Sequence, residues 1–262
     1  MNFYWIYDIP QWQFFLLANL AGVAFCILGP LFWNKWVQRK LGVTEEQNET
    51  IGVFVSISGV LYGVTLGLLA VGTYENFRQV EERIHEEVSA INAMYRDVTC
   101  LKGTGKAVLK HDLEHYVENI ITVAWPLQQK GLLPTDGIKI MGNFVAHMTQ
   151  YDPVDEKDEM FYAELFDQFN VLIEKRRSRL NSVNASLPAV VWIILLVGGV
   201  VNIFFTWLLV LPNRRIELVL NSLIGILFGS LIFLIISMDN PYRGEFSVTS
   251  DPYKLLLETI IR

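Results

Sequence analysis

Apolar residues gather into four runs, and the charged residues fall almost entirely between them. The runs cover residues 11–36, 51–74, 187–211 and 218–237. As helices they are long enough to cross a hydrocarbon core about 30 Å thick. The first opens on Trp12 and closes on Trp33, Lys35 and Trp36, with Arg39 and Lys40 just beyond. Those are the aromatic and basic anchors expected at the two rims of a bilayer. Pro188 suits the first turn of the third run, where a missing N–H costs nothing. Pro212-Asn213-Arg214-Arg215 predicts a tight turn, making runs three and four a hairpin.

The second run is the most patterned. Gly52, Ser56, Gly59, Gly63 and Gly67 recur at spacings of four, three, four and four, a stripe of small residues along one side of a helix. Such a stripe lets another backbone come close, the usual means by which membrane helices pack. With Tyr62 beside it, the same stripe is a candidate lining for a narrow conduit, and spacing does not separate the two readings. Gly198-Gly199 on run three and Gly225 with Gly229 on run four are expected to bring those helices together. Asn202, Asn221 and Ser222 are expected to face protein or water rather than lipid.

Between the second and third runs the chain is charged and helical in pattern. Val80, Ile84, Val88, Ile91 and Tyr95 mark an amphipathic face that continues from run two with no breaker, so one long helix is expected. Further helices are expected over 106–129, 135–149 and 158–184, enough for a small bundle. Ser250-Asp251-Pro252 reads as the start of a short amphipathic tail helix through Ile260. The fold class is therefore all-α: a membrane protein with four transmembrane helices and a helical extramembrane domain inserted between the second and third. Its segments are 1–74, 75–186, 187–238 and 239–262.

An apolar content of 52% does not by itself separate this class from soluble proteins; the distribution does. A net charge of −6 argues against nucleic acid as a partner. Membrane lipids are the expected surroundings. Four spans put both termini and the middle domain on one side. Arg78, Arg83, Lys175, Arg176, Arg177, Arg179 and Arg243 lie there near the spans, against Lys35, Arg39, Lys40, Arg214 and Arg215 opposite. The excess places the middle domain and the termini in the cytoplasm.

Candidate chemistry is sparse. Lys175-Arg176-Arg177-Ser178-Arg179, about two turns before run three, reads either as a lipid-contact cluster or as an electropositive ring at a pore mouth. Asp152, Asp155, Glu156, Asp158 and Glu159 form an acidic turn without EF-hand spacing and read as a solvated turn. His111, His115 and Glu118 share a helix face, yet the facing motifs of a metal pair are missing from the sequence. Cys26 and Cys100 show no zinc spacing, and neither a nucleophile setting nor a phosphate loop is present, so no catalytic residue, metal or cofactor is expected. Asp239, Pro241, Arg243 and Gly244 specify a structural turn at the exit from run four. There Asp239 is placed to accept from freed backbone donors or to pair with Arg243 or Arg177.

Four pieces of the chain carry a family resemblance in order. They are Glu87-Val88-Ser89-Ala90-Ile91-Asn92-Ala93-Met94-Tyr95-Arg96; Tyr116 with Trp125-Pro126 and Gly131; Arg177-Ser178-Arg179-Leu180 before Leu187-Pro188 and Trp192; and Asp239-Asn240-Pro241-Tyr242-Arg243-Gly244. Together they resemble the bacterial bestrophin-like integral membrane proteins. The second piece departs in Ala124, where an acidic residue is expected, and the last in Tyr242, where phenylalanine is expected. The resemblance implies a homo-oligomer, a pentamer as in bestrophins, in a bacterial inner membrane. It also implies passive conduction of an ion along helix two with a preference for anions such as chloride. Against this stand a cation-selective channel and a non-conducting scaffold or sensor whose glycine stripe serves assembly alone. Transporter and enzyme readings find less support, because neither internal repeats nor broken mid-membrane helices nor a reactive site is visible.

Overall fold

Pro30 cannot donate the backbone hydrogen bond that the Cys26 carbonyl would take in a regular helix. In the computed structural model, which describes residues 4–261, the chain meets this with a change of helix type. Helix α1 (Gln11–Leu28) widens into a π-turn over Gly29–Trp33 and resumes as α2 (Asn34–Leu41). The stranded Cys26 carbonyl accepts from Trp207 Nε1 at 3.0 Å. The Trp207 ring lies so close to Gly29 that a Cβ there would sit 2.3 Å from its carbons. The side chains of Trp33 and Lys35, read as rim anchors, lie outside the described residues.

The chain divides into two compact units. The first comprises the chain up to Glu75, Ser186–Asp239 and Gly244–Phe246, and it holds the four candidate spans. Besides α1 these are the start of α3 (Asn48–Cys100), α8 (Ala189–Trp207) and α9 (Arg214–Asp239). Asn48 ties the start of α3 to the segment just beyond α8 by reciprocal bonds, Nδ2 to the Val210 carbonyl at 2.7 Å and the Val210 N–H to Oδ1 at 2.9 Å. Half-buried Asn202 donates to the Gly198 carbonyl of its own helix at 2.9 Å. Asn221 is buried, donates to the Glu217 carbonyl at 2.9 Å and accepts from Thr206 Oγ1 at 3.3 Å.

The glycines pack, but not in the expected pairs. Gly225 and Gly229 of α9 lie against α1, where added Cβ atoms would sit 2.6 Å from the Val23 Cα and the Ala18 carbonyl oxygen. Gly198 and Gly199 of α8 instead make room for the Tyr62 ring of α3. Small residues mark a face for close approach; spacing alone does not say which neighbour comes.

The second unit comprises Asn76–Ala185, Asn240–Arg243 and the chain from Ser247 onward. To the later turns of α3 it adds α4 (Lys106–Asn119), α5 (Trp125–Gln129), α6 (Asp136–Thr149), α7 (Glu156–Asn181) and α10 (Asp251–Leu256). A π-turn, Ile120–Ala124, joins α4 to α5 just ahead of Pro126. One apolar core runs through all of these helices, including Ile91, Leu113, Phe144, Leu172 and, from the tail, Tyr242, Val248, Tyr253 and Leu256. The tail expected over 239–262 is thus largely part of this core rather than a separate segment.

Because no Cβ fits between α1 and α9, Gly229→Val should force the helices apart at a cost of about 1–3 kcal/mol or more. Gly142→Ala, where an added methyl meets nothing within 4 Å among the described residues, should instead stabilise by about 0.5–1 kcal/mol. Thermal denaturation in detergent should separate the two; equal melting temperatures would contradict the packing.

Candidate functional site

Within the first unit, α3 presents three distinct faces. Its buried face carries Val55, Ser58, Tyr62, Leu66, Leu69 and Thr73, all buried or half-buried. Tyr62, only 9% exposed, donates to the Leu195 carbonyl at 2.6 Å and stacks on Phe228 at 5.4 Å between centroids. Tyr62 therefore belongs to the packing against α8 and α9, not to the small-residue stripe with which the sequence grouped it.

The stripe itself is open. Ser56, Gly59, Gly63 and Gly67 are exposed and Gly52 half-exposed, and among the described residues a Cβ at Gly52, Gly63 or Gly67 meets nothing within 4 Å. At about 100° per residue the stripe lies roughly 100° round the helix from the buried face. Roughly opposite the buried face is a third row, Val53, Ile57, Val60, Val64, Leu68 and Val71, each between 54% and 70% exposed. Sequence reading passed over this row because in a membrane helix bulky apolar residues carry no contrast with their surroundings.

In the second unit the basic cluster resolves into separate roles. Arg179 is not on the surface at all: it is 1% exposed and forms a bidentate pair with the Glu87 carboxylate, Nε to Oε2 and Nη2 to Oε1 at 3.2 Å. Glu87, itself fully buried, also accepts from Tyr116 of α4 at 2.6 Å and Tyr253 of α10 at 3.0 Å. Burial alone would make Arg179 easier to deprotonate, but the Glu87 charge prevails and holds its pKa well above the ordinary arginine value. Burial, with the same Glu87 charge next, keeps Tyr116 and Tyr253 protonated far beyond pH 10. Of the remaining cluster, Lys175 pairs with Glu86 at 3.3 Å and Arg176 is half-buried near Gly137, leaving Arg177 exposed.

A sequence signal for this pair existed. Arg179 continues the spacing of seven set by the buried Leu165 and Leu172, and Glu87 falls between Ile84 and Ile91 in the buried row of α3. The expected face had Val88 there instead.

The acidic turn is also built in. Asp155 caps α7, accepting from the Asp158 N–H at 2.9 Å, and it pairs with Lys102. Asp158 is buried rather than solvated and accepts from the Lys102 N–H at 3.0 Å, the Tyr151 hydroxyl at 2.7 Å and the Val154 N–H at 2.9 Å. Burial pushes its pKa up, but these donors outweigh it and hold the group below 3.8. His111 and His115 stack at 6.3 Å, and no group of three or more potential ligands that could hold a metal occurs among the described residues.

The expected structural turn is divided between the units. Asp239 and Gly244 lie in the first; Pro241 and Arg243 lie in the second. Asp239 accepts from the Leu187 N–H at 2.6 Å, closing the start of the α8 segment onto the end of α9 rather than pairing with an arginine. Gly244 has φ +82°, a left-handed conformation that favours glycine.

The profile described as Bestrophin-like domain matches residues 20–253, and the chain belongs to the bestrophin-like family. Solved structures of a bacterial bestrophin homolog from Klebsiella pneumoniae are similar in fold. One superposes with TM-score 0.69 at 13% identity, covering 94% of this chain and 96% of the other. A second, of a point mutant of that homolog, gives TM-score 0.68 at 13% identity over 94% and 97%. No curated protein matches the chain in sequence.

Two outcomes follow for the second unit. Glu87→Gln sets an amide donor against Arg179 and should cost about 3–5 kcal/mol, whereas Tyr253→Phe, which removes one bond to a charge, should cost about 1.5–3 kcal/mol. Melting temperatures should fall in that order, and an unchanged Tyr253→Phe would contradict the network. For Asp158 the pKa is depressed on folding, so its stabilisation is present above pH 3.8 and is lost as pH falls through the lower folded value. Asp158→Asn should therefore melt lower than the parent at pH 7, by about 1–3 kcal/mol, with the gap closing below that range. A gap independent of pH would exclude the carboxylate as its cause.

Proposed function

We propose that copies of this chain assemble around an axis in a bacterial inner membrane and form a channel through which small ions pass passively. Membership of the bestrophin-like family supports the class, and the three faces of α3 are the observation that carries the arrangement. In a ring of helices, the side turned to the subunit's own helices and the side turned to the axis are opposite. Here the buried face opposes Val53, Ile57, Val60, Val64, Leu68 and Val71, so this bulky row faces the axis as an apolar constriction. The small-residue stripe, a quarter turn away, then meets the next copy, where Gly59, Gly63 and Gly67 permit close approach. Five copies are what the family resemblance implies, and the excess of basic residues near the spans on the side of the middle domain favours the second unit and both termini in the cytoplasm. The basic cluster gives little help to an anion preference, since Arg179 and Lys175 are held in ion pairs. Selectivity is read from flux instead.

Liposomes containing the purified protein should release ions under gradients of potassium chloride, potassium gluconate and N-methylglucamine chloride. Flux that follows chloride defines an anion channel, and flux that follows potassium a cation channel. No flux in any salt from verified oligomers favours the scaffold reading. Gly63→Leu should shift the oligomer toward monomer, while Val64→Ser should leave the oligomer intact and raise flux severalfold. The reverse pattern would return the glycine stripe to the axis.

A further inference from the structure

The helical run through the Pro30 break carries a row that changes chemistry along its length: Leu28, Phe32, Trp36, Arg39 and Lys40. Two adjoining cavities follow it. The first, about 310 Å³, is lined by Leu28, Phe32, Phe204 and Trp207, apolar side chains apart from the Trp207 N–H, which is taken up by the Cys26 carbonyl. The second, about 450 Å³, is lined by Phe32, Trp36, Arg39 and Lys40, so Phe32 is common to both. We propose that this groove binds one anionic phospholipid, an acyl chain in the apolar part and the headgroup phosphate between Arg39 and Lys40.

The position of the change supports this occupant. The apolar stretch of the first span ends at Phe32, the level at which a bilayer passes from hydrocarbon to headgroup. A ligand filling both parts needs an apolar chain and, joined to it, an anion. Among the described residues, the charged ones lining the polar part, Arg39 and Lys40, are cations, and the acids of the following segment, Glu45, Glu46 and Glu49, do not line it. Lys40 sits 4.7 Å above the Trp36 ring, which holds its charge at the mouth. The apolar wall is pre-formed. Trp207 is fixed by its bond to the Cys26 carbonyl and by its seat on Gly29, so little ordering cost remains when a chain enters. A second protein copy on this face would have to desolvate two cations, whereas a phosphate neutralises them.

Lipid binding at this groove does not depend on ion conduction and is measured directly. The full-length protein in detergent would be titrated, with native mass spectrometry as the readout, against phosphatidylglycerol, phosphatidylcholine with the same acyl chains, and glycerol 3-phosphate. Two cations near one headgroup predict a preference of about thirtyfold for phosphatidylglycerol over phosphatidylcholine, with glycerol 3-phosphate weaker still. The double variant Arg39→Gln/Lys40→Gln should abolish the preference while keeping the oligomer size and melting temperature of the lipid-free parent. Arg214→Gln/Arg215→Gln, two cations at the start of α9 outside the groove, should keep it. Equal binding of the two phospholipids overturns the proposal, as does equal loss in both double variants, which would mean diffuse surface attraction. Glycerol 3-phosphate binding as tightly as phosphatidylglycerol would overturn the lipid assignment by removing the acyl chain from it.

Discussion

Hydrocarbon offers no water to a backbone carbonyl that has lost its helical partner, and the membrane unit is organised around that demand. Pro30 removes one donor, and Trp207 from another helix supplies it. The segment beyond α8 leaves Val210 outside regular helix, and the Asn48 amide serves both of its backbone groups. Leu187, before α8 begins, donates to Asp239 at the end of α9. In each case the group that repairs a helix end or break comes from a different part of the chain. Satisfying the backbone and fixing the helix arrangement are therefore one operation. Packing then proceeds by close approach at Gly225 and Gly229, because between apolar helices in lipid there is no hydrophobic gain to drive it.

The second unit solves a related problem with charge. A carboxylate taken fully out of water is costly unless its oxygens are occupied, and the four donors on Glu87 come from α4, α7 and α10. The network draws the C-terminal tail into the core, with Trp125 packed at 5.6 Å from Tyr242 and 5.9 Å from Tyr253. Such an arrangement rewards only one register of these helices, since a shifted helix would leave the charge with unmet lone pairs.

The four spans and the unbroken helix through residues 51–95 were legible because hydropathy and the absence of breakers are local properties. The family was legible from short motifs in order. Partners were harder. Gly225 and Gly229 announced a close approach but not that α1 would make it, and chain adjacency pointed to α8. Arg179 was misread because a run of basic residues resembles a solvated face, even though its spacing from Leu165 and Leu172 placed it inward. Asp158 was hidden in the same way among exposed acids. The grouping of Tyr62 with the glycines failed on angle: next to Gly63 in sequence, it lies about 100° away around the helix. Whether the glycine stripe or the bulky row of α3 meets an axis depends on neighbouring copies, which one chain's sequence does not describe.

The three faces of α3 share no residue. Tyr62 and Leu66 anchor the helix to its own subunit, the glycines form a separate strip, and the row from Val53 to Val71 forms a third. A change on one strip therefore leaves the chemistry of the other two untouched. Such a helix carries three separate strips on one rod, and only the first is bound up with how this subunit folds.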